Sequence, residues 1–186
     1  AVLARADVVA IGPGLGQGEW GRSLFDAALA CDRPRVLDAD ALNLLAQSPR
    51  RLAAHDVITP HPGEAARLLG ISTAEVQRDR FAAASALCER YAAQVVLKGA
   101  GSIVASPDGV PAVICAGNPG MAAGGMGDLL TGCIAALLAQ GFPSRDASIA
   151  GALLHAAAGD AAARDEGERG LLPTDLLPWL RRLANP

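Results

Sequence analysis

Short, nearly unbroken apolar runs alternate along this chain with longer stretches whose apolar residues recur at helical spacing. That alternation predicts βαβ units and a mostly parallel sheet, buried on both faces. Asp7-Val8-Val9-Ala10-Ile11 reads as a buried strand running into a glycine-bearing loop, with a helix from about Glu19 to Ala30. Arg35-Val36-Leu37-Asp38 is a second strand, followed by a short helix over Ala41 to Ala46. Asp56-Val57-Ile58-Thr59 is a third strand, ended by Pro60 and Pro62. Gly63 to Leu69 reads as a helix that closes at Gly70. Ser72-Thr73-Ala74-Glu75 has capping-box spacing and predicts a helix from there to Tyr91. Val95-Val96-Leu97-Lys98 is the next strand.

The pattern then changes. Ser102-Ile103-Val104-Ala105 and Ala112-Val113-Ile114-Cys115 flank the turn signal Pro107-Asp108-Gly109 and predict an antiparallel hairpin. Two Ala/Leu-rich helices follow, roughly Asp128 to Gln140 and Arg145 to Ala163, separated by Gly141 and Pro143. A charged loop, Arg164 to Gly170, leads to a last helix capped by Thr174. No internal repeat and no linker divides the sequence, so residues 1–186 read as one domain.

Composition narrows the function classes. The chain is 51% hydrophobic but only 3% aromatic, so Ala, Leu, Val and Ile must fill its core. A formal charge of −3 argues against a general nucleic-acid binder, which carries a basic face. Lys98 is the only lysine, and it stands directly before glycine. Cys88, Cys115 and Cys133 fall in apolar stretches and read as small core residues, while Cys31 lies at a helix end. Their separation suggests no disulfide framework, no run reaches the length of a membrane span, and no signal peptide heads the chain. A reducing cytoplasm is the expected location, with neither membrane nor nucleic acid as partner.

The densest candidate chemistry lies in Asn118-Pro119-Gly120-Met121-Ala122-Ala123-Gly124-Gly125-Met126-Gly127-Asp128, which runs straight into an apolar helix. Its glycines let backbone approach a ligand closely, and the unpaired N–H groups of a helix's first turn favour an anion. A carboxylate there either caps the helix or takes a proton from a hydroxyl attacking a phosphoryl group, which makes Asp128 the candidate base. The glycines at 12, 14, 16 and 18 form a strand-to-helix turn but miss dinucleotide spacing, because Gln17 and Glu19 stand where glycine is required. Thr59-Pro60-His61-Pro62-Gly63-Glu64-Ala65 ends another strand, with two prolines fixing the path around His61. From the residues alone His61 reads as packed or solvated, and His55 and His155 as solvent or packing residues. Lys98-Gly99-Ala100-Gly101-Ser102 either reaches a phosphate or ends a surface strand. Asp38 and Asp40 either orient substrate or a hydrated metal, or cap the helix that holds Asn43. No cluster has metal-ligand spacing.

Asn118 to Gly132 resembles the GNPGMA(T/S)GG-x-GD signature of the NAD(P)H-hydrate dehydratases, a branch of the ribokinase-like superfamily. Four further segments match in order: Gly12-Pro13-Gly14-Leu15-Gly16, Leu37-Asp38-Ala39-Asp40-Ala41-Leu42-Asn43, Thr59 to Ala65, and Leu97-Lys98-Gly99-Ala100-Gly101. The match covers nearly the whole chain. It departs at Ala123, where the signature has Thr or Ser, so a hydroxyl contact to phosphate is lost.

The resemblance implies a three-layer α/β/α fold, with a mostly parallel central sheet and a β-hairpin. It also implies a chain that starts inside its domain, since such proteins carry an N-terminal portion before this first strand. Gly14 and the segment His61, Pro62, Gly63, Glu64, Ala65, Ala66 and Arg67 would contact the hydrated dinucleotide, with His61 and Glu64 as polar contacts. Lys98 to Ser102 and Asn118 to Gly127 would hold the adenine nucleotide, and Asp128 would be the base. The Asn118-Pro119-Gly120-Met121 form looks bacterial, which favours ADP over ATP, with Mg²⁺ riding on the phosphates. A homotetramer and an NAD(P)H-hydrate epimerase, fused or separate, are implied as partners. The rival readings are a vitamin kinase of the same superfamily, such as one acting on hydroxyethylthiazole, and a nucleotide-binding regulatory module without turnover.

Overall fold

The apolar runs pair into one six-stranded sheet in the computed structural model, which describes residues 3–185. Strands β1 (Val9–Ile11), β2 (Arg35–Leu37), β3 (Val57–Ile58) and β4 (Gln94–Leu97) lie in chain order and parallel. β5 (Ser102–Ala105) and β6 (Ala112–Ile114) extend the sheet as the expected antiparallel hairpin.

Leu37, Ile58, Val95, Leu97 and Ile103 face one core, whereas Val36, Val57, Val96 and Val104 face the other. Alternate residues serve opposite layers because side chains along a strand have a period of two. The first core is closed by α1 (Glu19–Leu29), α2 (Ala39–Gln47), α3 (Pro62–Leu69), α4 (Thr73–Arg78) and α5 (Arg80–Tyr91). The second is closed by α6 (Met126–Ala139) and α7 (Ser144–Glu166), and α8 (Leu177–Leu183) packs on α7. The result is the expected three-layer α/β/α sandwich. Each fully buried Leu, Ile or Val contributes about 1.5–3 kcal/mol relative to exposure, so the paired cores hold the layers together.

The structure corrects the expected elements in three places. The helix expected from Ser72 to Tyr91 is broken at Asp79, whose φ of −145° is not helical. Its carboxylate accepts the Ala82 N–H at 2.9 Å and caps a new helix, α5. Thr174 caps nothing: Pro173–Leu176 forms a 3₁₀ turn, and Asp175 accepts the Leu172 N–H at 2.8 Å. α8 then starts beside Pro178, which needs no N–H partner in a first turn. Lastly, α6 begins at Met126, with Gly125 rather than Asp128 at its N-cap. Gly125 has a φ of +88°, a left-handed conformation that glycine adopts without strain.

Among the cysteines, Cys88 is buried as expected, but Cys115 is exposed and Cys133 only half-buried. The strand period explains Cys115: it comes one residue after buried Ile114 and so turns to the other side.

Candidate active site

β1 to β4 end on one edge of the sheet, and antiparallel pairing brings the start of β5 and the end of β6 to that same edge. Open α/β sheets bind ligands there. β1 runs into Gly12 at a φ of +133°, where an added Cβ would strike the Asp38 carbonyl oxygen. Glycine is what lets the first loop lie against the end of β2.

Asp38 follows β2 and is only 1% exposed. Its Oδ1 stands 2.6 Å from the Lys98 Nζ after β4, and its Oδ2 accepts the Thr131 hydroxyl of α6 at 3.2 Å. Glu64 Oε2 lies 3.7 Å from the same ammonium. A buried carboxylate requires a counter-charge and donors, and this arrangement supplies both. A Cβ on Gly127 would sit 3.2 Å from both Asp38 Oδ2 and Lys98 Nζ, so the first turn of α6 rests directly on the ion pair. Asp38 occupies the N-cap position of α2, yet its side chain makes no cap hydrogen bond.

Asp40 has a different task. It accepts Gly16 N–H at 2.9 Å, Gln17 Nε2 at 3.0 Å and Asn43 Nδ2 at 3.3 Å, fastening the glycine loop to α2. These donors, the Gln17 amide foremost, hold its carboxyl below the usual carboxylate range.

His61 caps α3. Its Nδ1 accepts the N–H groups of Gly63 at 3.0 Å and Glu64 at 3.4 Å, while Glu64 Oε2 accepts the His61 N–H at 2.7 Å. This reciprocal capping box, with Pro62 in the first turn, commits Nδ1 as an acceptor and leaves the ring on the surface.

Two loops present backbone donors. In Lys98–Ser102, the amides of Gly99, Ala100 and Gly101 find no acceptor among the described residues. In the second loop, Asn118 Oδ1 accepts Gly120 N–H at 3.0 Å and shapes the 3₁₀ turn Pro119–Met121. The amides of Ala123, Gly124, Gly125, Gly127 and Asp128 then lack acceptors among the described residues. Asp128 is exposed in the first turn of α6, with no hydrogen-bond or ion-pair partner among them.

These loops line a cleft of about 890 Å³. It unites His61 and Pro62, all of Lys98 to Ser102, and most of Asn118 to Gly127. Gly14, Gly63 to Arg67, and Asp128 are not among the residues lining it. Ala65 and Ala66 are buried at 0% and 6% exposure, so their side chains serve the core. Gly14 is exposed at a φ of +67° with open space beside it. Arg67 donates to Asn43 Oδ1 at 2.9 Å and borders a separate polar hollow of about 490 Å³ with Gln17 and Gln47.

The structure adds residues that sequence reasoning missed. His155, expected to serve solvent or packing, lines the cleft at 8% exposure. Burial pulls its pKa down to about 4, keeping the imidazole neutral at neutral pH, and its Nε2 has no partner among the described residues. Asp160 accepts Gly117 N–H at 2.9 Å and Asn118 Nδ2 at 3.0 Å, tying the second loop to α7. Arg80 donates to the carbonyls of Leu97, Lys98 and Ala100, beneath the Lys98–Ser102 loop. Each lies inside an ordinary helical pattern, so no local signal marks it.

Fold and cleft together define a ribokinase-like α/β protein with its large cleft at the carboxyl edge of the sheet. A ribokinase-like superfamily protein from Enterococcus faecalis matches with a TM-score of 0.87 and 30% identity, covering 100% of this chain and 66% of that one. The chain belongs to the NAD(P)H-hydrate dehydratase family, whose model matches residues 1–182. A bifunctional NAD(P)H-hydrate repair enzyme from Coxiella burnetii is 54% identical over 185 residues, which are 100% of this chain and 38% of that protein. An ADP/ATP-dependent NAD(P)H-hydrate dehydratase from Bacillus subtilis, co-crystallised with ATP and Mg²⁺, is 33% identical. Its TM-score is 0.85, with 98% of this chain and 68% of that one covered. The chain spans well under half the length of the curated relatives it matches.

Proposed function

We propose that this chain repairs damaged nicotinamide cofactor, as a lyase that dehydrates (S)-NAD(P)H hydrate with ADP, in preference to ATP, as phosphoryl donor. The observation that carries the reading is the Asp128 carboxylate, exposed in the first turn of a helix; among the described residues it has no partner and the helix's leading amides have no acceptors. Hydroxide is a poor leaving group and phosphate a good one. The hydroxyl oxygen of the hydrated ring attacks the terminal phosphorus, the bond from that phosphorus to its bridging oxygen breaks, and Asp128 takes the hydroxyl proton. Phosphate then departs with the carbon–oxygen electron pair, the neighbouring ring carbon gives up its proton to water, and the freed C–H electron pair restores the double bond.

In this reading the backbone donors of Gly124 to Gly127 stabilise charge on the transferred phosphoryl group. Lys98 to Ser102 and Asn118 to Ala123 hold the rest of the nucleotide, Ala123 through backbone alone. Gly14 and His61 to Arg67 bound the hydrated dinucleotide, with the Ala65 and Ala66 side chains supporting that wall from the core. No group of three His, Cys, Asp or Glu side chains among the described residues converges on a metal site. The relative co-crystallised with ATP and Mg²⁺ supports Mg²⁺ riding on the nucleotide phosphates, where it would supply charge neutralisation. Residues 1–186 act as one ribokinase-like unit in the cytoplasm, assembled as a homotetramer. The bifunctional relatives support an NAD(P)H-hydrate epimerase as partner, fused or separate.

Recovery of NADPH absorbance from purified NADPH hydrate, with ADP, ATP or no nucleotide, tests the reading. Recovery with ADP is the expected result. Recovery with ATP alone reverses the donor, and accumulation of a stable phosphorylated product from another alcohol would replace the reaction by a kinase.

A further inference from the structure

Arg80 is the first residue of α5, where a cation opposes the helix dipole, and partial burial adds a desolvation cost. Its hydrogen bonds among the described residues all go to main-chain carbonyls: Ala100 at 2.6 Å, Leu97 at 3.2 Å and Lys98 at 3.4 Å. A further loop carbonyl, Gly99, accepts the Ser102 hydroxyl at 3.1 Å. In a trans peptide the C=O of one residue and the N–H of the next point in opposite directions. Drawing the Lys98 and Ala100 carbonyls onto Arg80 therefore turns the Gly99 and Gly101 amides away from it. Gly99 to Ser102 line the cleft and Arg80 does not, which fits a guanidinium on the side of the loop away from the cleft. A Cβ on Gly99, at a φ of +144°, would stand 3.0 Å from Arg80 Nη2, which shows how closely guanidinium and loop are fitted.

We propose that Arg80 is a positioning residue that presets the Lys98–Ser102 loop as an anion receptor for the phosphates of an adenine nucleotide. The inference rests on the reading of the cleft as the nucleotide site. Arg80 itself touches neither nucleotide nor substrate. It acts by holding carbonyls inward and amides outward before the ligand arrives.

The test is calorimetric titration of ADP, and separately of ATP with Mg²⁺, into the wild type and Arg80→Ala, with thermal denaturation of each. Arg80→Ala is expected to bind nucleotide roughly 10- to 100-fold more weakly. Its kcat at saturating nucleotide should stay within about threefold, placing the loss in KM. Millimolar guanidinium, kept below denaturing concentrations, should restore much of the affinity, a rescue that a merely structural role would not give. Unchanged affinity in a folded Arg80→Ala, or a loss that guanidinium does not touch, overturns the inference alone. A wild type that binds neither nucleotide overturns it together with the nucleotide-site reading. Should Arg80→Ala not fold, Arg80→Lys carries the same decision: an intact melting temperature with weakened binding supports the inference, and unchanged binding overturns it.

Discussion

Lys98 Nζ stands 2.6 Å from Asp38 Oδ1 across a separation of 60 residues, and this pair joins the ends of β4 and β2 beneath the first turn of α6. Asp38 is almost wholly buried while Lys98 keeps some exposure. The carboxylate therefore depends on the ammonium more than the reverse. The chain's single lysine serves as counter-ion and as part of the cleft wall at once.

Lys98→Met should consequently destabilise the fold as well as weaken nucleotide binding. Removing one partner of a buried pair costs about 3–5 kcal/mol, an upper range here because Lys98 is partly solvated. Urea denaturation measures the loss, and a variant as stable as the wild type would show that Asp38 finds other compensation.

Asp128→Asn should behave oppositely. Asp128 is exposed and unpartnered among the described residues, so the melting temperature should hardly move. Turnover should fall by about two to four decades while nucleotide affinity is kept. Near-normal turnover would remove Asp128 from the role of base.

Asp160→Ala removes two acceptor contacts from Gly117 and Asn118, on a helix where alanine is well tolerated. The nucleotide KM should rise about tenfold, with kcat altered less, since the Asn118 turn loses its tie to α7. A kcat loss with unchanged KM would place Asp160 in a different role.

His155 gives a pH dependence with a defined sign. Its pKa drops from 6.5 to about 4 on folding, chiefly through burial. Between those values the unfolded chain binds a proton that the native state does not. Stability from this residue is therefore complete above about pH 6.5 and is lost as pH falls towards 4. Asp40 acts in a lower window: its pKa is lowered from 3.8, so its contribution is present above 3.8 and lost as pH falls through the folded value. Urea midpoints at pH 7.5, 5.5 and 4.5 should decline for the wild type and decline less for His155→Gln. Parallel profiles would show that the acid sensitivity arises elsewhere.

Much of this was legible before folding. The run Val95-Val96-Leu97 announced a strand buried on both faces, and Pro107-Asp108-Gly109 announced the hairpin. The glycines from 120 to 127 marked a loop that leaves amides open to a ligand. The Ser72 box starts a helix as its spacing predicts, but that helix ends at Arg78 and does not continue to Tyr91. Asp79 at its break carries the usual N-cap residue type, obscured by helical periodicity on both sides.

Sequence alone determined the strand and helix periods, the turn chemistry and the ordered motifs that identify the family, because each depends on residues adjacent along the chain. Only tertiary closure decided that Asp38 meets Lys98 and Thr131, that Asp160 grips Asn118, and that Arg80 lies under the Lys98–Ser102 loop. Those partners are separated by 60, 93, 42 and 20 residues respectively. No local pattern encodes such a pairing, since it arises where strand order and layer packing bring the loops to one edge. Burial then decides whether a carboxylate or guanidinium found there must be paired.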